Sequence, residues 1–432
     1  MTSPALRLRR YQARTLVLLV VGYGGYYLCR SNFSVALPLI LDEIVATGVD
    51  PDVARVRMGT IASVGVFAYA ICKFISGGVA DLLGGRRNFL FGMIASSAFT
   101  VLFALGGGFP IFTLAWVLNR MVQSVGWVGI VKMTSKWFAF SAYGTAMGIV
   151  SLSFLFGDAL ARTFMSRLLL AGFTWREVFF IVAAVLFGVF LLNAVLLRES
   201  PADVGLREPE ANPDNLFGEN HTAAHPGLAA LLRPFLRSRA FWYVCLLSLG
   251  FTLLRETFNT WTPTYFTDAA GLTAAQAAES SALFPLLGGF SVLLAGWLSD
   301  RIGGRGRAVI ILLGLLLTAA LLVALGWSNL AASSGGAVGL VAVIGFFMIG
   351  PYSYLGGALA LDLGGKQGSG TAAGIIDGIG YLGGILAGDS FARLSVAFGW
   401  SGAFTMLAVV ALLSSVPAGL LVAEERKVAG SQ

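Results

Sequence analysis

Long apolar stretches alternate with short polar breaks along most of this 432-residue chain. The apolar stretches are about twenty residues long, which is the length that an α-helix needs to cross the hydrocarbon core of a bilayer. Twelve of them lie at residues 15–41, 58–81, 88–106, 110–134, 144–166, 177–197, 240–266, 278–299, 308–327, 336–360, 370–392 and 400–422. The pattern predicts an all-α polytopic membrane protein with twelve transmembrane helices.

One long polar segment divides the chain between the sixth and seventh apolar stretches. It holds both histidines, His221 and His225, and five of the 13 prolines. A polar segment rich in proline is typical of a linker. We therefore predict a six-helix half at 1–197, a cytoplasmic linker at 198–239 and a second six-helix half at 240–432.

The composition excludes several classes of protein. Only 12% of the residues are charged and 57% are apolar, whereas about a quarter of the residues in soluble domains are charged. A cytosolic enzyme, a disordered chain and a secreted disulfide scaffold are therefore excluded. The three cysteines, Cys29, Cys72 and Cys245, fall inside apolar stretches, so no disulfide framework is expected.

No motif for enzymatic chemistry accompanies this composition. The sequence has no cysteine or histidine spacing typical of a metal site and no nucleophile–base arrangement. We therefore expect a protein that is not an enzyme and has no metal or cofactor. The first apolar run is longer than the core of a signal peptide and has no convincing cleavage site.

The basic residues predict the orientation of the helices. With both termini in the cytoplasm, 18 of the 29 lysines and arginines lie in cytoplasmic segments, five in external loops and six within spans. This bias follows the positive-inside rule. The net charge of +7 is spread over short loops, so we expect contact with lipid and none with nucleic acid.

The two halves repeat each other. Residues 77–81 (GGVAD) end the second span and 296–300 (GWLSD) end the eighth, and a short basic loop follows each. Residues 173–175 (FTW) open the sixth span, and 398–400 (FGW) open the twelfth, 225 residues later. Duplicated six-helix halves are typical of transporters that alternate access around a midplane site.

Two arginines lie deep within spans and are also 225 residues apart, Arg30 and Arg255. Each is about fifteen residues into its helix, hence ~22 Å along it and near the midplane. An arginine there costs at least ~2.5 kcal/mol, which indicates a polar cavity. A guanidinium forks two hydrogen bonds to phosphate, so one arginine from each half predicts a phosphoryl clamp. A buried pair of Arg255 with Glu256 is the alternative, which we disfavour because adjacent residues on a helix face different ways.

The Gly-x-x-x-Asp loops resemble the signature of the major facilitator superfamily. More narrowly, several stretches are similar to the organophosphate:inorganic phosphate antiporters, which include glycerol-3-phosphate and sugar-phosphate transporters. The stretches are residues 22–33 (GYGGYYLCRSNF), 69–74 (YAICKF), 136–138 (KWF), 200–207 (SPADVGLR), 253–255 (LLR), 261–265 (WTPTY), 370–374 (GTAAG) and 380–384 (GYLGG). They run across nearly the whole chain, so the resemblance implies the major facilitator fold with two pseudo-symmetric halves.

The resemblance also implies roles for individual residues. The substrate-binding arginines of the family fall on Arg30 and Arg255, and a lysine falls on Lys73, which either attracts the anion or pairs with Asp377. Cavity-lining positions fall on Tyr23, Tyr27, Tyr69 and Tyr381, for which packing is the alternative; Trp127 is either a cavity wall or a core residue. Gating contacts of the cytoplasmic ends fall on Asp81, Arg86, Arg87, Asp300, Arg301 and Arg305.

The fifth span departs from the pattern of glycerol-3-phosphate transporters. They carry a histidine near Asp158, and this chain has no histidine in any span. Asp158 and Arg162 have the i, i+4 spacing of an intrahelical pair, although Arg162 also fits the anion site and Arg120 fits as a partner for Asp158. Ser31 stands where a lysine often follows the first arginine, and Thr252 and Ile349 stand where those transporters have tyrosines. These departures weaken a glycerol-3-phosphate assignment and leave the clamp intact.

The combined prediction is a transporter that exchanges an organophosphate for inorganic phosphate across the cytoplasmic (inner) membrane, as a monomer. The first alternative is a proton-coupled symporter of an organic anion, with Asp158 or Asp377 carrying the proton, because intramembrane acids are functional candidates. The second alternative is a non-transporting sugar-phosphate sensor of the same fold, since the family that this chain resembles includes such sensors.

Overall fold

A computed structural model of the chain describes residues 4–138, 140–207, 209, 235–302, 306–356 and 358–430. Over these residues the secondary structure is helical, without a strand. In chain order the helices are α1 (Pro4–Ala46), α2 (Pro51–Leu83), α3 (Gly85–Leu105), α4 (Phe109–Trp137), α5 (Phe140–Leu170), α6 (Trp175–Leu196), α7 (Arg239–Asp268), α8 (Ala274–Ser281), α9 (Leu283–Ile302), α10 (Arg307–Trp327), α11 (Ser334–Tyr352), α12 (Ala358–Ile385) and α13 (Asp389–Gly430), with a 3-10 turn at Pro201–Val204. The all-α fold is confirmed.

Most of the twelve predicted spans fall on helix, whereas the tenth runs into the turn at 353–356 and the eleventh crosses the turn at 386–388. The eighth is shared by α8 and α9, and α13 holds the twelfth. Within the described residues, eight helical runs are long and apolar enough by composition to cross a membrane, and one of them covers Gly374–Glu424. The first, fifth and seventh spans are not among them, and these are the spans that carry Arg30, the Asp158–Arg162 pair and Arg255.

The break between the tenth and eleventh spans lies earlier than the sequence predicts. The predicted spans put the break at 361–369, a stretch that contains the charged residues Asp362 and Lys366. In the structure α11 ends at Tyr352 and α12 already begins at Ala358. Pro351 closes the last turn of α11, where the amide of Ser353 donates to the carbonyls of Ile349 and Gly350. The helix therefore ends at a turn-forming proline. The charged residues Asp362 and Lys366 do not end a helix.

The repeated Phe-x-Trp sequences both mark helix starts, as predicted. Thr174 caps α6 in a reciprocal capping box with Glu177. In the other half Gly399 has a φ of 66°, which interrupts α13 directly before Trp400. A positive φ favours glycine, so each half uses a different residue to begin its last span.

Large apolar side chains on the helices face outward. Leu160 is 71% exposed and Leu105 68% exposed. In water such surfaces would aggregate, whereas in a bilayer they contact lipid tails. This outward apolar surface fits the membrane-spanning helices predicted from the sequence.

The chain forms two compact units with boundaries other than those of the predicted halves. Unit 1 comprises residues 1–40 and 64–213, and unit 2 comprises 41–63 and 214–432. Residues 41–63 belong to unit 2 through polar contacts with its helices: Arg55 forms an ion pair with Asp268, and Thr60 Oγ1 donates to Asp389 Oδ1 at 2.7 Å. These contacts join residues more than 200 positions apart, which a count of apolar spans does not detect.

In unit 1 the carboxylate of Glu199 caps the N-terminus of α3. It accepts the amides of Gly85 at 3.0 Å and Arg86 at 2.6 Å, and the ammonium of Lys136 at 2.8 Å. The Arg86 guanidinium in turn donates to the carbonyls of Ala194 and Leu197 at the end of α6. Acid at a helix start and arginine at a helix end both complement the helix dipole, so this cluster joins α3, α4 and α6.

Replacing Glu199 with glutamine is expected to lower the free energy of unfolding by about 1–2 kcal/mol at pH 7. Burial raises the pKa of Glu199, but Lys136 and the two amides lower it further, so the net pKa lies below its ordinary value. The stabilisation is therefore present at neutral pH and is lost as the pH falls through this lowered pKa. Thermal unfolding of the purified protein across acidic and neutral pH measures the effect.

Glu424→Gln, near the end of α13, is the control and is expected to unfold like wild type. A difference between Glu199→Gln and wild type that persists undiminished at acidic pH would contradict the capping role.

Candidate functional site

Three cationic side chains surround one buried tyrosine in unit 1. The guanidinium carbons of Arg30 and Arg120 lie 5.0 and 4.8 Å from the centre of the Tyr69 ring, and Lys73 Nζ lies 5.6 Å from it. Tyr69 is only 2% exposed. The residues come from α1, α2 and α4, so tertiary packing brings together charges that the sequence separates. Such a concentration of positive charge is suited to an anion.

The predicted aromatic residues of the first half join this group. Arg30 also lies over Tyr27, 5.3 Å from its ring centre. Tyr23 packs against Tyr27 and Trp127, with ring centres 5.8 and 5.4 Å apart. Aromatic faces attract cations, so these rings help to hold the guanidinium of Arg30 in place.

Two amide side chains on α4, absent from the sequence predictions, bind the backbone beside Arg30. Asn119 Nδ2 and Gln123 Nε2 donate to the carbonyl of Cys29 at 3.3 and 2.9 Å. Both side chains are buried and also hydrogen-bond each other. Polar groups buried among membrane helices join those helices, so these bonds set the depth and rotation of α1 at Arg30. The available signal was their i, i+4 spacing within an apolar span.

Asp158 and Arg162 form the predicted intrahelical pair. Arg162 Nε lies 3.1 Å from Asp158 Oδ1, and the two side chains are 3% and 7% exposed. Ser31, next to Arg30, also donates to Asp158. The pair therefore connects α5 to α1 beside the cationic group.

Arg255 in unit 2 contacts two tyrosines and one acid. Its Nη1 donates to the Tyr352 hydroxyl at 3.0 Å, and its Nη2 donates to the Tyr381 hydroxyl at 3.3 Å. Nη2 also lies 2.8 Å from Glu256 Oε1. The sequence argument against this last pair was wrong, because the long arginine side chain reaches across the angle between adjacent helix positions. Tyr352 was not predicted, and its place near the end of α11 carries no motif.

The predicted gating residue Arg87 lies apart from these contacts, whereas Asp377 lies close enough to Tyr352 for an electrostatic interaction. Arg87 is exposed at the start of α3. Asp377 lies beside the turn after α11, where its Oδ1 is 3.4 Å from the position that a Cβ on Gly356 would take. The side chains of Asp81, Asp300, Arg301 and Arg305 fall outside the described residues. In the described parts of the chain no group of histidine, cysteine and acidic residues has the geometry of a metal site.

A profile of the Major Facilitator Superfamily matches residues 19–388. The chain belongs to this superfamily. As a superfamily member it is a polytopic membrane protein of the transporter fold, in agreement with the resemblance of its Gly-x-x-x-Asp loops.

Curated relatives match over nearly the full length of this superfamily member. A probable hexose phosphate transport protein of Chlamydia pneumoniae is 29% identical over 94% of this chain and 91% of the relative. The glycerol-3-phosphate transporter of Bacillus subtilis is 27% identical, with coverage of 94% and 91%. The membrane sensor protein UhpC of Escherichia coli is 27% identical, with coverage of 95% and 92%.

Solved structures of two transporters share the fold. A bacterial homologue of the human lysosomal transporter Spinster, inward-facing and unoccupied, has a TM-score of 0.74 at 16% identity, covering 96% of each chain. A POT family transporter in complex with 5-aminolevulinic acid has a TM-score of 0.75 at 13% identity, covering 95% and 96%. At such identities the likeness concerns the fold alone.

Proposed function

We propose that this superfamily member exchanges a phosphorylated metabolite, such as a sugar phosphate or glycerol phosphate, for inorganic phosphate by alternating access. The observation that carries the proposal is the grouping of Arg30, Lys73 and Arg120 around Tyr69. Phosphoryl groups are multiply charged and accept bidentate hydrogen bonds from arginine. The names of the Chlamydia pneumoniae and Bacillus subtilis relatives support the same substrate class.

In this proposal Arg255 supplies the equivalent arginine of the second half. It lies 225 residues after Arg30 in the internal repeat, and two tyrosine hydroxyls orient its guanidinium. A bound phosphoryl group offsets the positive charge of the site and stabilises the occluded state. A ligand shifts a conformational equilibrium only by such differential stabilisation, so the carrier exchanges anions readily and leaks poorly.

The proposal includes the orientation and the surroundings. The lysine and arginine distribution favours a cytoplasmic location for both termini, and the bacterial relatives support the cytoplasmic membrane. We assign gating at the cytoplasmic ends to Asp81, Asp300 and their basic loops, and we expect the monomer to be the transporting unit.

Purified protein in liposomes tests the exchange. Vesicles loaded with phosphate are expected to take up labelled phosphate, and a thermal-shift screen of phosphate, glycerol-3-phosphate, hexose phosphates and three-carbon phosphates then identifies the counter-substrate. Vesicles without internal phosphate are the control and are expected to take up little. Uptake at equal rates in loaded and empty vesicles contradicts the exchange mechanism.

A proton-coupled symporter is the second candidate, and the burial of Asp158 within a span favours it. Asp158→Asn and Asp377→Asn separate the two mechanisms. If either acid carries the proton, the variant loses uptake driven by a pH gradient but keeps phosphate counterflow. For an exchanger, a pH gradient does not drive uptake in wild type.

A sugar-phosphate sensor without transport is the third candidate, favoured by the similarity to UhpC. The liposome experiment distinguishes it, because a sensor binds sugar phosphate in the thermal-shift screen without exchanging it.

A further inference from the structure

The Arg255 guanidinium has one edge only partly occupied. Phosphate and carboxylate groups commonly bind arginine bidentately through two parallel N–H donors. On the edge formed by Nε and Nη2, Nη2 donates to Glu256 Oε1 at 2.8 Å and to the Tyr381 hydroxyl at 3.3 Å. Nε is buried and has no hydrogen-bond partner among the described residues. One half of a bidentate anion position is thus filled by the chain's own carboxylate, and the other half is not filled.

Stability alone does not explain the acid at this position. The Glu256 and Arg255 side chains are 8% and 17% exposed, so both charges are largely removed from solvent. The desolvation cost of a buried ion pair often equals or exceeds the attraction between its charges. Leu254, directly before the arginine, is fully buried as an apolar residue, so this helix accepts apolar side chains beside Arg255.

We propose that Glu256 is an internal competitor for the anion at the substrate site, which lowers the affinity for the anion and assists its release. The carboxylate holds Nη2 when no anion is bound, and an incoming phosphoryl group displaces it to bind Nε and Nη2 together. A phosphomonoester or phosphate dianion carries more charge and more acceptor oxygens than the carboxylate and so displaces it. This inference rests on the proposed function.

The competitor also affects the rate of exchange. Because the anion must displace the Glu256 carboxylate, the net free energy gained on binding is smaller. When the carboxylate returns to Arg255, it assists release of the anion. Without it, phosphate is expected to bind more tightly and to leave more slowly. Removal of Glu256 therefore improves binding and impairs turnover, a combination that loss of packing does not produce.

Glu256→Gln tests the proposal, because glutamine keeps the shape and an oxygen acceptor but removes the charge. We expect inorganic phosphate to bind about tenfold more tightly, the gain typical of one hydrogen bond to a charged group, and phosphate exchange to slow. Calorimetry on purified protein measures the affinities, and liposome exchange measures the rate.

Glu279→Gln, on α8 of the same unit, is the matched control and is expected to bind and exchange phosphate like wild type. Unchanged or weaker phosphate binding in folded Glu256→Gln overturns the proposal.

Glu256→Asp keeps the charge and shortens the side chain by one methylene, so it is expected to tighten phosphate binding less than Glu256→Gln. If Glu256→Gln does not fold, Glu256→Asp decides the question, and unchanged or weaker binding there also overturns the proposal. Wild-type protein that neither binds nor exchanges phosphate contradicts the proposed function itself, which keeps the two failures distinguishable.

Discussion

Arg30→Lys and Arg255→Lys are each expected to reduce phosphate exchange at least about 100-fold while the protein stays folded. Lysine keeps the charge but offers a point charge in place of a planar fork. At position 30 the substitution also removes a planar group that lies over the rings of Tyr27 and Tyr69. At position 255 it removes the guanidinium group, which donates hydrogen bonds to Tyr352 and Tyr381 at the same time. A loss of two or more charge-assisted hydrogen bonds to phosphate accounts for the size of the effect.

Liposome exchange of labelled phosphate measures this loss, and size-exclusion chromatography with thermal unfolding confirms that each variant is folded. Arg207→Lys, on the exposed segment after the 3-10 turn, makes the same chemical change outside the site and is expected to retain wild-type exchange. Retained exchange in either site variant refutes a phosphate clamp built on these two arginines.

Arg162→Ala is expected to destabilise the protein by about 3–5 kcal/mol, the usual cost of removing one partner of a buried ion pair. The substitution leaves the Asp158 carboxylate, which is 7% exposed as a side chain, without the guanidinium at 3.1 Å. Thermal or denaturant unfolding of the purified protein measures the change. The double variant Asp158→Asn/Arg162→Ala is expected to recover part of the loss because it also removes the buried charge.

The chain offers a close control for this prediction. Asp389 and Arg393 form an ion pair with the same i, i+4 spacing, at 2.8 Å, but the Arg393 side chain is 65% exposed. Solvent screens exposed ion pairs, which therefore contribute little to stability, so Arg393→Ala is expected to change the free energy of unfolding little. If both arginine variants are destabilised equally, the Asp158–Arg162 pair does not stabilise the fold more than an exposed pair does. That result would favour the hypothesis that Asp158 carries the proton of a symporter.

The sequence singled out Arg30 and Arg255 but revealed less about the side chains around them. Arg30 and Arg255 stand out because a charge within an apolar span is costly and therefore conspicuous. The contact of Arg120 with Tyr69 and the hydrogen bonds from Asn119 and Gln123 to Cys29 were not predicted, since they join different helices. The sequence argument disfavoured the pair of Arg255 with Glu256. Helix geometry gives the direction in which each side chain leaves the helix, but it does not give the reach of a long side chain such as arginine.

The sequence by itself determined the membrane class, the all-helical fold, the internal repeat and the few charges placed within the apolar stretches. Each of these follows from free energies that depend on local composition, above all the transfer of apolar and charged residues into lipid. Only the tertiary structure decided that Tyr69 gathers three cations, that Glu199 caps α3, that residues 41–63 pack with unit 2 and that Glu256 occupies one edge of Arg255. These contacts depend on how separate helices pack, which is set by side-chain shape and hydrogen bonding between residues far apart in the chain.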